Sequence, residues 1–120
     1  MNVDPPRAVA LEGRYLGLIS GTSMDGIDAV LLDFTHAGMR TLGGTTSPYP
    51  VALRNRLFEA ILPEARLGVA ELAALHIAVG KAFAAAANDL IAACRIRRDS
   101  VTAIGSHGQT LHHAPRGDEP

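Results

Sequence analysis

Two short polar stretches hold the residues whose types and spacing could do chemistry. The first is Gly21-Thr22-Ser23-Met24-Asp25-Gly26-Ile27-Asp28, set between the apolar runs Tyr15 to Ile19 and Ile27 to Phe34. Glycine permits the positive φ angles of a tight turn, so successive backbone N–H groups beside Gly21 can converge on an anion. The Thr22 and Ser23 hydroxyls add donors for phosphate oxygens. A bare carboxylate repels phosphate, so Asp25 would act there through a cation, ordinarily Mg²⁺ by way of water. An Asx-type turn before Gly26 needs the same residue, and spacing alone leaves both roles open. Asp28 sits inside the second apolar run, on the exposed face of a strand or pointing back over the turn, and Met24 is a contact or packing residue. This is not a Walker loop: no Lys follows the glycines, and the next segment has strand rather than helix character.

The second stretch is Gly105 to His113, GSHGQTLHH. Ser106, His107, Gln109 and Thr110 make a mixed donor and acceptor set suited to sugar hydroxyls and an N-acetyl group, in a polar turn at a strand's C-terminal end. A hydrogen-bonded turn explains the same residues without a ligand. His112 and His113 are adjacent and would point to opposite faces of a strand, so no metal site is expected there. Cys94 is the only cysteine, which excludes an intrachain disulfide and a Cys-based zinc site.

The elements that must position these stretches follow from periodicity. Tyr15 to Ile19 and Gly26 to Phe34 are short, bounded apolar runs of strand type, joined as a hairpin. A third strand is expected over Met39 to Thr46, with Gly43-Gly44 marking a bulge. Pro48 and Pro50 stop the sheet, with Pro50 suited to a helix's first turn. Leu53, Leu57 and Ile61 make one helical face over Val51 to Leu62, and Pro63 ends it. A long helix is expected from Val69 to Cys94, its apolar face including Leu72, Leu75, His76, Val79, Phe83, Ala86 and Leu90, with His76 packed in the core. Arg95, Arg97 and Arg98 fall at its C-terminal end, where the helix dipole favours cations. Val101 to Gly105 is a fourth strand. The order is β-β-β-α-α-β, an α/β arrangement that reads as incomplete, with residues 1–13 a flexible lead-in and 14–120 one part-domain.

Composition narrows the function classes. With 48% hydrophobic and 19% charged residues, the chain can bury a core rather than remain disordered. A net charge of −1 with scattered cations gives no footprint for nucleic acid. Glu71, Lys81 and Asp89 interrupt the long apolar helix, so no membrane partner is expected, and the N-terminus lacks the apolar run of a signal peptide. A cytoplasmic location fits.

The longer strings are more specific than their parts. ISGTSMDGIDAVL, Ile19 to Leu31, closely resembles the N-terminal signature of the anhydro-N-acetylmuramic acid kinases, bacterial enzymes of peptidoglycan recycling. IGSHGQTLHHAP, Ile104 to Pro115, resembles that family's second N-terminal motif. The resemblance implies the N-terminal part of an actin-like, hexokinase-like (ribonuclease H-like) ATPase domain. It also implies ATP and Mg²⁺ as cofactors, with Gly21 to Asp28 on the nucleotide phosphates and Ser106, His107, Gln109 and Thr110 on the amino-sugar side.

The implied reaction is ATP-dependent phosphorylation of 1,6-anhydro-N-acetylmuramic acid with opening of the anhydro ring, in an enzyme that is a homodimer at full length. Ile19 stands where many relatives in the wider superfamily carry an acidic residue, so Asp25 or Asp28 takes the metal-linked role. The family's general base is expected beyond Pro120, and no catalysis is expected from the 120 residues alone. The alternatives are a non-catalytic nucleotide- or sugar-binding module and a same-fold kinase for another sugar.

Overall fold

The computed structural model describes residues 12–21 and 23–114. The expected lead-in, apart from Glu12 and Gly13, lies outside the described residues, as do Thr22 and residues 115–120.

Strand β1, Gly13–Ser20, alternates inward Leu16, Leu18 and Ser20 with outward Gly17 and Ile19. Strand β2, Ile27–Thr35, does the same with Ile27, Ala29 and Leu31 inside and Asp28 and Val30 outside. Period-two patterning of this kind sets the register of a sheet with one covered face. The two strands pair antiparallel from Gly13 opposite Phe34 to Ile19 opposite Asp28, as the hairpin reading expects. Strand β3, Gly38–Ser47, pairs antiparallel with β2. Its register slips where Leu31 faces Gly43 but Leu32 faces Thr41, so the expected bulge falls on Leu42, beside the glycine pair. Strand β4, Val101–Gln109, lies parallel to β1, completing a mixed four-stranded sheet in the order β3-β2-β1-β4. The fold is therefore α/β, consistent with the N-terminal part of a sugar-kinase ATPase domain.

Helices α1, Val51–Ala60, and α2, Val69–Ala93, cover the inward face. Pro50 is the N-cap of α1 rather than a residue of its first turn, and the helix stops at Ala60, before Pro63. Helix α2 ends with Arg95 at φ 55°, its N–H bonded to the Ala92 carbonyl and that of Ile96 to the Ile91 carbonyl. That is a Schellman-type end with arginine in the left-handed position usually taken by glycine. The expected cationic cluster consequently lies past the helix, where Arg97 pairs with Asp99. A single 3-10 turn, Arg98–Ser100, leads into β4, and Arg14 donates to the Ser100 hydroxyl at 2.9 Å.

Burial on α2 falls on Leu75, Phe83, Ala86, Ala87, Leu90 and Ile91, which corrects the expected face. Leu72 and His76 are exposed because the first turns of α2 border an open groove instead of lying flat on the sheet. At 25 residues α2 is long and apolar enough to span a membrane by composition, yet its C-terminal half packs on the sheet. A Cβ on Gly43 would stand 2.6 Å from Cys94 Sγ and 3.4 Å from Leu90 Cδ1. The absence of a side chain at Gly43 therefore sets how closely α2 approaches β3, and the half-buried Cys94 thiol fills that space. The opposite sheet face has no helix on it among the described residues. Ile19 and Val30 are 46% and 37% exposed there, a degree of exposure that leaves apolar area available for association.

Two outcomes follow. Gly43→Ala should destabilise the fold by roughly 1–3 kcal/mol, the usual cost of overpacking, and Cys94→Ala in the same chain should recover most of it. Thermal melts of the two single variants and the double variant check this. The 120-residue chain alone should self-associate through its bare face and edge strands; a monomer by sedimentation with a sharp cooperative melt would contradict that.

Candidate functional site

The link between β1 and β2 turns sharply at Gly21 to Met24, where the Met24 N–H donates to the Gly21 carbonyl at 3.1 Å. Among the described residues of the turn the left-handed one is Met24, at φ 55°, not Gly21, which corrects the reason expected for the glycine. Met24 tolerates that conformation because its side chain is 1% exposed, anchored in the core beneath the turn. A Cβ on Gly21 would approach nothing closer than the Ser23 hydroxyl at 3.8 Å. Position 21 therefore has room for a small side chain among the described residues, and no contact of the kind seen at Gly26 demands glycine there. On the exit side, a Cβ on Gly26 would come within 2.8 Å of the Ser47 carbonyl, so a glycine is needed for the chain to pass β3. From α1, Arg54 donates through Nε to the Met24 carbonyl at 3.3 Å, while its guanidinium lies 4.9 Å above the Phe58 ring.

Strand β4 differs from its expected course. It does not give way to a turn at Gly105 but continues to Gln109, carrying Ser106, His107 and Gln109 inside the strand and Thr110 just after it. Pairing with β1 supplies the backbone partners that make this extension favourable. The register irregularity explains the rest: Leu18 faces Ser106, but Ser20 faces Gln109, so one extra residue is inserted on β4. Gly108, at φ 78°, takes the conformation that the insertion requires. Without it, Ser20 would face Gly108, and Gln109 would point to the other side of the sheet.

Gln109 thus arrives beneath the first turn with every hydrogen-bonding position of its side chain in use. Oε1 accepts from the Ser20 hydroxyl at 2.7 Å and from the Tyr49 hydroxyl at 2.9 Å. Nε2 donates to the Gly21 carbonyl at 3.2 Å and to the Thr110 carbonyl at 3.1 Å. The two carbonyls only accept, which fixes which end of the amide is nitrogen. Ser20 is the one buried polar residue among the described residues, and Gln109 satisfies it. Tyr49, on the Pro48-Tyr49-Pro50 link between β3 and α1, is buried against Phe83. Neither Tyr49 nor Arg54 was identifiable from spacing: a tyrosine between two prolines signals only a turn, and Arg54 reads as an exposed helix position.

The remaining expected residues are placed as follows. Ile27 is core, and Ser23 and Asp25 are exposed on the turn. Asp28 is exposed on the bare sheet face, opposite Ile19, and accepts from the Thr46 hydroxyl at 2.6 Å, so it does not fold back over the turn. Ser106 and His107 border an open groove of about 360 Å³ with Leu72, Leu75, His76 and Phe83. No group of three or more His, Cys, Asp or Glu stands together among the described residues. A divalent ion at the turn would therefore have Asp25 as its near carboxylate and would rely on water and ligand oxygens. Mg²⁺ is commonly held in that way.

Burial pushes the Tyr49 phenol above its ordinary value, with the nearby Ser20 hydroxyl opposing the shift. Since the folded-state pKa is raised, the unfolded state loses this proton first, and the stability it contributes is present below about pH 10 and falls as pH rises through the folded pKa. Denaturant titrations of wild type and Tyr49→Phe should show a difference in stability that is steady at neutral pH and shrinks above about pH 10. A constant difference up to strongly alkaline pH would contradict this.

The family profile for anhydro-N-acetylmuramic acid kinase matches residues 13–120. The chain is 46% identical over 101 residues to the anhydro-N-acetylmuramic acid kinase of Shewanella oneidensis, covering 84% of this chain and 27% of that protein. It is 45% identical over 107 residues to the enzyme of the same name from Xanthomonas oryzae pv. oryzae, covering 87% and 28%, and 44% identical over 111 residues to that of Xylella fastidiosa, covering 88% and 29%. The chain thus spans little more than a quarter of the length of these relatives. With its profile match running from β1 through the Gln109 segment, the chain belongs to the anhydro-N-acetylmuramic acid kinase family.

Proposed function

We propose that the protein to which this chain belongs uses ATP to phosphorylate 1,6-anhydro-N-acetylmuramic acid at O6 while opening the anhydro bridge, a cytoplasmic step of peptidoglycan recycling. The chain supplies the turn that meets the nucleotide phosphates and part of the sugar side of the cleft. The observation that carries this reading is the Gly21 to Met24 turn: Gly21 and Ser23 are exposed on it and its two ends are held by Gln109 and Arg54.

In the proposed reaction water adds to the anomeric carbon, the bond from that carbon to O6 breaks, and O6 takes the γ-phosphoryl group as ADP leaves. Phosphoryl transfer of this kind is catalysed chiefly by positioning and charge neutralisation. The chain's own residues do the positioning. Backbone N–H groups at Gly21 to Met24 and the Ser23 hydroxyl meet phosphate oxygens, and Thr22 is assigned the same role from its chemistry. Asp25 is the carboxylate exposed on the turn, whereas Asp28 is engaged by Thr46 on the far face. Asp25 would hold Mg²⁺ through water, and that ion would neutralise phosphate charge. Ser106, His107 and Thr110 remain available for sugar hydroxyls and the N-acetyl group. Gln109 does not, because its amide is fully engaged within the chain. The carboxylate that takes the water's proton is assigned to the part of the protein beyond Pro120.

In the full-length protein, ³¹P NMR should show a sugar 6-phosphate forming from ATP and the anhydro-sugar; ATP consumption without that product would contradict the proposal. Asp25→Asn should lower Mg²⁺-dependent turnover roughly 10–100-fold, as loss of an outer-sphere metal contact does, and wild-type rates would remove Asp25 from the metal. Ser106→Ala should raise the sugar KM by about five- to tenfold, one hydrogen bond's worth, without moving the ATP KM.

A further inference from the structure

Gln109 joins two parts of the molecule that the proposed reaction must bring into register. Its side chain leaves β4 one residue after the Gly108 bulge and reaches the first carbonyl of the β1–β2 turn. It also bonds the carbonyl of Thr110, the next residue along the second polar stretch. The Gly21 carbonyl already accepts from the Met24 N–H, so the amide of Gln109 occupies its second lone pair. A carbonyl held from both sides is restrained at the entrance to the turn.

The two halves of the amide have separate tasks. The acceptor half, bound by Ser20 and Tyr49, fixes where the side chain sits. The donor half transmits that position to Gly21 and Thr110. We infer that Gln109 is a positioning residue that sets the orientation of the β1–β2 turn for MgATP and ties it to the segment bearing Ser106, His107 and Thr110. This inference rests on the reading of that turn as the seat of the ATP phosphates.

The test uses the full-length protein carrying Gln109→Glu, Gln109→Leu or Tyr49→Phe. The MgATP dissociation constant is measured by titration calorimetry without sugar, and amide hydrogen exchange of the Gly21 to Gly26 segment is measured without ligand. A glutamate keeps the acceptor half but, when ionised, offers no donor and sets a charge against two carbonyls. Near pH 8, Gln109→Glu should weaken MgATP binding by about tenfold and speed exchange of the segment by a similar factor. As pH falls to about 4, a protonated carboxyl regains a donor for the Gly21 carbonyl, so the ratio to wild type should narrow. Gln109→Leu, neutral at every pH, should show the same loss without the narrowing, which separates lost positioning from repulsion of the phosphates. Tyr49→Phe, which leaves the donor half in place, should change MgATP affinity by less than about threefold.

Unchanged exchange of Gly21 to Gly26 in both Gln109 variants would overturn the inference. Should Gln109→Leu fail to fold, ligand-free amide exchange of Gly21 to Gly26 in Gln109→Glu decides, and exchange unchanged from wild type would overturn the inference. Faster exchange with unaltered MgATP affinity would uphold the mechanical link and contradict the phosphate-seat reading on which its purpose rests.

Discussion

The structure depends on a single carboxamide whose four hydrogen-bonding positions are all used inside the chain. Gln109 satisfies the buried Ser20 hydroxyl, the hydroxyl of buried Tyr49 and the carbonyls of Gly21 and Thr110. Each bond is individually modest, on the order of 1 kcal/mol net. Their joint effect is larger, because removing the amide would leave the hydroxyls of buried Ser20 and Tyr49 without this partner at once. The arrangement ties the end of β1, the β3–α1 link, the β1–β2 turn and the last residue of β4 to one point. It exists only because the Gly108 bulge rotates Gln109 to the helix side of the sheet.

The rest of the fold brings those parts together and holds them. Inward residues of β1 and β2 build one apolar face, α2 lies close against β3 because Gly43 has no side chain, and α1 presents Arg54 to the far end of the turn. The turn is thereby clamped at Gly21 from β4 and at Met24 from α1, while Ser23 and Asp25 stay exposed between the clamps. A turn held at both ends with exposed polar groups between them suits anion recognition, since part of the ordering cost is met on folding rather than on binding. The uncovered face with Ile19 and Val30 accords with a chain spanning little more than a quarter of its relatives' length.

Much of this was legible in the residues. The alternation of Leu16, Leu18 and Ser20, and of Ile27, Ala29 and Leu31, gives the hairpin directly, and the proline pair at 48 and 50 marks the change to helix. What could not be read depended on contacts distant in sequence. The stretch after Gly105 has turn composition, but its parallel partner β1 keeps it extended to Gln109, and no local pattern announces a parallel register with a bulge. His76 fits the three- and four-residue spacing of α2, yet the sheet does not reach far enough to cover it. The left-handed residue of the turn is Met24 rather than a glycine because burial of its side chain outweighs the backbone preference. The Gln109 bonds to Ser20, Gly21 and Tyr49 cross long sequence separations, so sequence alone shows the polar residue and not what it holds.

The backbone of Gly21 to Met24 is the proposed seat of the ATP phosphates. A crystal structure of the full-length protein with Mg²⁺ and a non-hydrolysable ATP analogue tests it most directly. Phosphate oxygens should lie within hydrogen-bonding distance of the backbone N–H groups of this turn, with the Gln109 amide still on the Gly21 carbonyl. A nucleotide bound with its phosphates away from the turn, or a turn that binds them only after releasing Gln109, would contradict it.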